Sequence, residues 1–207
     1  SKADINLVRN INQKSLTTDI QKIAGNKKII IINASGLQHS FLTKNIDNAN
    51  FHSPKEFVEN LVSADLNFFF VQISSISSTF GKEIIPEIGQ GQPINFYGET
   101  KLKFEQFLSR FLPQENYIIL RPGAFYGDNF KNQNFNKFIK LLQKGVFIFP
   151  SEKTYRSYTN IETIFSALQI ILDELSFNSE LPVRISNITD TNSISTLDLF
   201  FDYKKTE

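Results

Sequence analysis

Apolar positions along the chain follow two alternating periods. Residues 28–33 (KIIIIN) form a short, continuous β-branched run, the pattern of a strand buried on both faces of a parallel sheet. Residues 67–73 and 117–120 repeat that pattern, and residues 4–8, 146–149 and 183–188 read as shorter strands. Between these runs the period changes to that of a helix. Residues 16–24 predict a short helix stopped by Gly25-Asn26, and Pro54 opens another with Phe57, Val58, Leu61 and Val62 on its apolar face. Residues 92–112 give the clearest helix. Phe104, Phe107, Leu108, Phe111 and Leu112 recur at i, i+3, i+4, i+7 and i+8, and Pro113 closes it. A further helix is predicted over 134–142. Another is capped by Asn160, has Glu162 in its first turn, and carries Ile161, Ile164, Phe165, Leu168, Ile171, Leu172 and Leu175. A short helix over 196–201 ends the chain.

Strands of this kind alternating with amphipathic helices imply an α/β fold, a doubly wound parallel sheet of the Rossmann-like type. In such sheets ligands bind beyond the carboxyl ends of the strands. Those ends fall at Arg9-Asn10, residues 33–36, residues 74–79 and residues 121–127, and they hold small residues, hydroxyls and an arginine. Residues 1–130 are expected to form a dinucleotide-binding core. Residues 131–207 are expected to form a small substrate lobe together with the last sheet elements.

Composition narrows the function. The 207 residues are 41% hydrophobic and 21% charged with a net charge of +1, so neither nucleic acid nor an anionic membrane surface is called for. The longest apolar runs are far too short to span a bilayer. Cysteine is absent, which removes disulfides, thiolate nucleophiles and Cys-based metal sites. His39 and His52 stand alone in polar stretches with no metal-ligand spacing, so no metal is expected. A cytoplasmic location follows as the expectation. The 21 phenylalanines, with heavy use of Ile, Asn and Lys, fit a coding bias better than a function.

The candidate chemistry sits at the head of the clearest helix. Tyr97 and Lys101 are one turn apart and share a face. An ammonium beside a phenol favours the phenolate, lowers the tyrosine pKa and makes it a usable acid or base. Taken alone, the pair equally describes a half-buried tyrosine with a snorkelling lysine. What raises its meaning is an ordered set of companions. INASG follows one buried strand, VQISSISSTFG another, YGETK opens the helix, LRPGAFYGD ends the next strand, and RSYTNIETIFSAL comes later.

In that order these segments resemble an extended short-chain dehydrogenase/reductase of the NAD-dependent epimerase/dehydratase (nucleotide-sugar) family. The resemblance implies NAD or NADP as cofactor and a nucleotide-linked sugar as substrate. Tyr97 would be the acid/base, Lys101 would lower its pKa and hold the nicotinamide ribose, and Ser75 would hydrogen-bond the reacting oxygen. Counting back from Gly81 instead puts Ile76 on that site, so Ser77 is a reserve and a candidate substrate contact. Asn33, Ala34, Ser35, Gly36, Pro122 and Gly123 would line the cofactor. Ala124 would face the sugar, and Arg156 would bind the nucleotide diphosphate, although a surface arginine would read the same way. Arg9 sits where the cofactors are told apart and favours the 2′-phosphate of NADP, or is simply solvated. Ile76 after Ser75 argues against dehydration, which usually uses an acidic residue there, and leaves epimerisation or reduction.

The chain departs from the family at its front. The opening strand and Gly-x-x-Gly-x-x-Gly turn, whose backbone approaches the pyrophosphate, have no counterpart in these residues. They are expected to precede the sequence rather than to be lost from the protein. A non-catalytic NAD(P)-binding sensor or scaffold is the alternative function. The residues themselves indicate no oligomeric state; the resemblance implies a homodimer through the Tyr97 helix and the helix before it, as relatives often form.

Overall fold

The computed structural model describes residues 13–25, 27–39, 41–79, 92–93, 95–127, 140–141, 143–146, 155–177, 181, 183–190 and 194–195. In chain order these form α1 (Gln13–Ala24), β1 (Ile29–Asn33), α2 (Thr43–Asp47), a π-helical turn (Asn48–His52), α3 (Ser53–Ser63), β2 (Phe68–Ile73), a 3-10 turn (Ile76–Ser78) and α4 (Phe96–Phe111). A second 3-10 turn (Gln114–Asn116) leads to β3 (Tyr117–Pro122), followed by β4 (Ala124–Tyr126), β5 (Tyr155–Arg156), β6 (Tyr158–Asn160), α5 (Ile161–Ser176), β7 (Ile185–Ile188) and β8 (Ile194–Ser195). The main sheet has the order β1-β2-β3-β7, and every pairing in it is parallel. Beside it, β4 pairs with β6 in parallel and β5 with β8 in antiparallel.

Alternation along the strands divides the core into two faces. Phe68 and Phe70 of β2, with Tyr117 and Ile119 of β3, pack against Val58 and Leu61 of α3 and Phe104, Leu108 and Leu112 of α4. Phe69, Val71 and Ile73, with Ile118 and Leu120, turn the other way onto Ile171 of α5 and Leu181. Both central strands are buried along their whole length, as an unbroken apolar run requires when helices cover both faces. The contact of Phe70 with Phe104 is edge-to-face at 6.2 Å between ring centroids.

Three expectations need correction. β1 is not buried on both faces. Ile32 is 43% exposed, because among the described residues β1 pairs only with β2. The polar stretch before Pro54 is helical from Thr43 onward, passing through the π-helical turn. Its side chains carry no apolar stripe, so periodicity could not announce it. Phe165 lies on the outer side of α5 at 57% exposure, while Ile164 and Ile171 face the core. The strand expected over 4–8 and the helix expected over 196–201 lie outside the described residues. So do most of the helix expected over 134–142 and of the strand expected over 146–149. Among the described residues no helix is long and apolar enough to cross a membrane.

The two phenylalanines mark the limits of the core. Phe70→Ala should cost about 3–5 kcal/mol through a cavity between β2 and α4, whereas Phe165→Ala should change stability by about 0.5 kcal/mol or less. Urea unfolding of both variants would check the contrast, and equal losses would contradict the packing described.

Candidate active site

At the carboxyl ends of the four main strands, the face covered by α4 changes from apolar to polar. Ile31, Phe70, Ile119 and Ile185 lie on that face, and Asn33, Gln72, Arg121 and Asn187 follow them by one alternation. Buried polar groups favour partners; Asn187 Oδ1 and Arg121 Nη1 find none among the described residues, while Asn33, Gln72 and the rest of the Arg121 guanidinium do. Asn33 Nδ2 donates to Gln72 Oε1 at 2.8 Å, and Gln72 Nε2 donates to the Ile73 carbonyl at 2.7 Å. Arg121 reaches Glu105 of α4, with Nε donating to both carboxylate oxygens at 3.1 and 3.2 Å and Nη2 donating to Oε2.

α4 enters this rim at its N-terminus. Asn95 caps it, its side chain accepting from Gly98 N at 2.8 Å. Gly98 permits a close approach to the turn after β2, since a Cβ there would sit 2.1 Å from the Ser77 carbonyl oxygen. That approach brings the Tyr97 end of α4 to the turn that carries Ser75, whose hydroxyl favours the phenolate. Ser75 Oγ also accepts from Ser77 N at 3.2 Å, capping the 3-10 turn. Lys101, one helical turn along, is buried at 4% exposure, and its Nζ donates to the carbonyls of Ser35 at 3.3 Å and Ile73 at 3.4 Å. The same Nζ lies 5.8 Å from the Tyr97 ring centroid.

The electrostatics differ from the simple pairing expected of tyrosine and lysine. Burial raises the Tyr97 pKa above its ordinary value, and the Ser75 hydroxyl acts the other way. The ammonium is directed at backbone carbonyls. Burial lowers Lys101 to about 8, opposed by the negative charge of Glu105.

The loop after β1 is built around Asn33 and Asn50. Asn33 Oδ1 accepts from Ser35 N at 3.1 Å and from Ser35 Oγ at 2.6 Å, a turn that leaves Ala34, Ser35 and Gly36 exposed at the rim. Asn50 in the π-helical turn is 2% exposed. It accepts from Leu37 N at 2.8 Å and donates to Leu37 O at 3.0 Å and to Thr100 Oγ1 at 3.1 Å, tying the loop to α4. A Cβ on Gly36 would lie 2.8 Å from Lys101 Nζ and 3.0 Å from Asn50 Oδ1, so only glycine lets loop and lysine approach this closely.

Ser75, Tyr97 and Lys101 thus meet at one rim with Asn33, Ser35 and Gly36. Ser77 contributes its backbone there. Pro122 ends β3, Gly123 N donates to Thr159 Oγ1 at 2.8 Å, and Ala124 starts β4, half-buried. Arg156 lies in β5, and the role expected of its side chain falls outside the described residues, as does Arg9. Among the described residues no group of three metal-binding side chains occurs, and His52 pairs with Asp47 at 3.0 Å. Sequence reasoning missed Glu105 and Asn50. A carboxylate one turn beyond Lys101, set between Phe104 and Leu108 in the apolar stripe, was a usable signal for the first; nothing in the local pattern marked the second. Tyr126, the last residue of β4, hydrogen-bonds Asp190, which raises its pKa.

The family model described as NAD dependent epimerase/dehydratase family matches residues 9–181. No curated protein matches the chain. Among solved structures, UDP-glucuronic acid 4-epimerase from Bacillus cereus, in complex with UDP-glucuronic acid and NAD, superposes with a TM-score of 0.70 at 20% identity over 95% of this chain. A dTDP-4-dehydrorhamnose reductase from Clostridium acetobutylicum gives 0.73 at 20% identity over 94%, and a dTDP-glucose 4,6-dehydratase from Bacillus anthracis, in complex with NAD, gives 0.71 at 14% over 94%. The chain spans 62%, 66% and 61% of these three proteins respectively, under two thirds of each. At these identities the likeness is one of fold.

Lys101 links the site to stability. Its folded pKa of about 8 lies below its ordinary 10.5. Between those values the unfolded chain binds the extra proton, so stability rises with pH across that window. The wild type should therefore gain on the order of 3 kcal/mol relative to Lys101→Met between pH 7 and pH 11. Urea unfolding of both proteins across that range measures the difference, and parallel curves would contradict a buried ammonium.

Proposed function

Because the chain belongs to the NAD dependent epimerase/dehydratase family, we propose that it is an NAD(P)-dependent oxidoreductase or epimerase acting on a nucleotide-linked sugar, with Tyr97, Lys101 and Ser75 as its acid–base site. The observation that carries the proposal is the convergence at one rim of the Tyr97 end of α4, the Ser75 turn that Gly98 lets the helix approach, and the buried ammonium of Lys101. A lone Tyr-x-x-x-Lys helix has no reason to press on such a turn.

The described residues fit the nicotinamide-ribose end of such a cofactor. An ammonium has three N–H donors, and Lys101 directs its charge at two carbonyls at 3.3 and 3.4 Å, which leaves a donor for a ribose hydroxyl. Asn33, Ala34, Ser35 and Gly36 form the exposed loop beside it, and Pro122 and Gly123 end the neighbouring strand. Nothing in these residues corresponds to a pyrophosphate cradle. When bound, a nicotinamide supplies hydride acceptance and return. NAD and NADP both fit this reading, and Arg9 favours NADP.

In this reading Tyr97 moves the proton on the sugar oxygen. The phenol, whose ordinary pKa of 10.0 burial raises further, is protonated at neutral pH, which suits donation to a keto oxygen. The opposite direction needs the phenolate, which the Ser75 hydroxyl favours. Ser75 holds the same sugar oxygen. Ser77 and Ala124 border the sugar, and Arg156 takes the diphosphate. Ile76 next to Ser75 is 7% exposed and apolar, so it offers no acid for eliminating water, which favours epimerisation or reduction over dehydration. Residues 1–130 would serve as the cofactor core and residues 131–207 as the sugar lobe and closing sheet elements. A homodimer would form across α3 and α4.

Two measurements test the proposal. NADPH or NADH should bind, seen by fluorescence and thermal shift, and turnover of UDP- or dTDP-linked sugars should be detectable. Tyr97→Phe should then lose about 10²–10⁴-fold in kcat with cofactor Kd essentially unchanged. Equal turnover in the variant would remove Tyr97 from its role. Cofactor binding without turnover in either protein would favour a sensor or scaffold.

A further inference from the structure

Glu105 and Arg121 form a buried ion pair behind Ser75, Tyr97 and Lys101, with side chains 3% and 2% exposed. Such a pair is a poor stability device. Desolvating two charges costs several kcal/mol each, and apolar replacements of similar volume are often as stable. What Glu105 does besides pairing is grip the turn after β2. Ser74 Oγ and Ser78 Oγ both donate to its Oε1, the second at 2.8 Å. These serines flank Ser75 on either side. At the other end of the turn, Gly98 presses on the Ser77 carbonyl. The turn is therefore held at two heights along α4, the helix that carries Tyr97 and Lys101.

We propose that Glu105, braced by Arg121, is a positioning residue that holds the turn after β2 on α4 and so sets the Ser75 hydroxyl toward Tyr97. The inference rests on the acid–base reading of Ser75, Tyr97 and Lys101. Its geometric part is direct. The Ser75 hydroxyl faces Tyr97 only while the turn keeps its place on α4, and a carboxylate, an acceptor with two oxygens, can hold both flanking hydroxyls and the guanidinium fork at once. An electrostatic consequence follows from the surroundings of Lys101. β1 and β2 offer it only the carbonyls of Ser35 and Ile73. Of the charged groups described above, Glu105 lies one turn away on its own helix, and Arg121 on β3 is paired with that same carboxylate. Glu105 raises the Lys101 pKa against the effect of burial, so losing its charge would move the ammonium toward neutrality.

The test uses the full chain and Glu105→Gln, read first by NMR, which needs no turnover. With ¹³C-labelled lysine and tyrosine, assigned through Lys101→Met and Tyr97→Phe, the Lys101 Cε titration should move below about 8 and the Tyr97 Cζ signal at neutral pH should shift as the Ser75 turn moves relative to it. In turnover, kcat should fall about tenfold or more, with the cofactor KM changed less than about twofold, the signature of misplacement and not of lost binding. Ser74→Ala/Ser78→Ala leaves the ion pair intact and serves if Glu105→Gln does not fold. It should shift the Tyr97 signal and lower kcat while leaving the Lys101 titration in place. A folded Glu105→Gln, or the double variant, with an unmoved Tyr97 signal and unchanged kcat would reduce Glu105 to a structural strut. If wild type itself shows no turnover, the acid–base reading fails, and the NMR signals still decide whether the carboxylate positions Ser75.

Discussion

A carboxylate buried under a helix needs donors for its lone pairs, and Glu105 of α4 meets that condition against the sheet. Arg121 from β3 and two serines from the turn after β2 converge on it. Three elements that are remote in sequence are thereby held by one side chain. Each of those elements carries part of the rim: the helix brings Tyr97 and Lys101, the turn brings Ser75, and β3 leads into Pro122 and Gly123. Leaving any of these donors or the carboxylate unpaired would cost more than an ordinary hydrogen bond is worth.

The same logic extends across the sheet. Deep in the strands the face under α4 is apolar and packs against Phe104 and Leu108; at the carboxyl ends it is Asn33, Gln72, Arg121 and Asn187. The hydrophobic face sets where the helix lies, and the polar ends set what its first two turns can touch. A ligand-binding rim at the carboxyl ends of a parallel sheet follows from that change of character. The buried Asn50 extends the arrangement to the loop after β1, so that loop, lysine and helix form one hydrogen-bonded unit.

Within that unit the Tyr97–Lys101 pair behaves differently from two residues considered on an isolated helix. There, proximity alone would lower the tyrosine. In the folded protein both groups are buried, burial acts on each against its charged form, and the counteracting influences come from Ser75 on the one and Glu105 on the other. The acid–base character of the pair is thus set by third parties.

Much of the fold was legible in the residues themselves. The unbroken apolar runs of β2 and β3, the stripe on α4 and the Asn160 cap of α5 state their elements locally, because strand and helix periods are properties of neighbouring residues. The order of those elements implied a parallel sheet and a rim at its carboxyl ends, and placed Tyr97, Lys101 and Ser75 there. Tertiary structure alone decided the rest. The exposure of Ile32 depends on which strands flank β1, and the helical course of residues 43–53 depends on Asn50 finding Leu37 and Thr100. How closely α4 approaches the turn after β2 depends on Gly98 meeting the Ser77 carbonyl. Glu105 acquires its meaning only when Arg121, Ser74 and Ser78 are brought to it. Hydrogen-bond partners and desolvation are relations between distant segments, and no local pattern in a sequence encodes them.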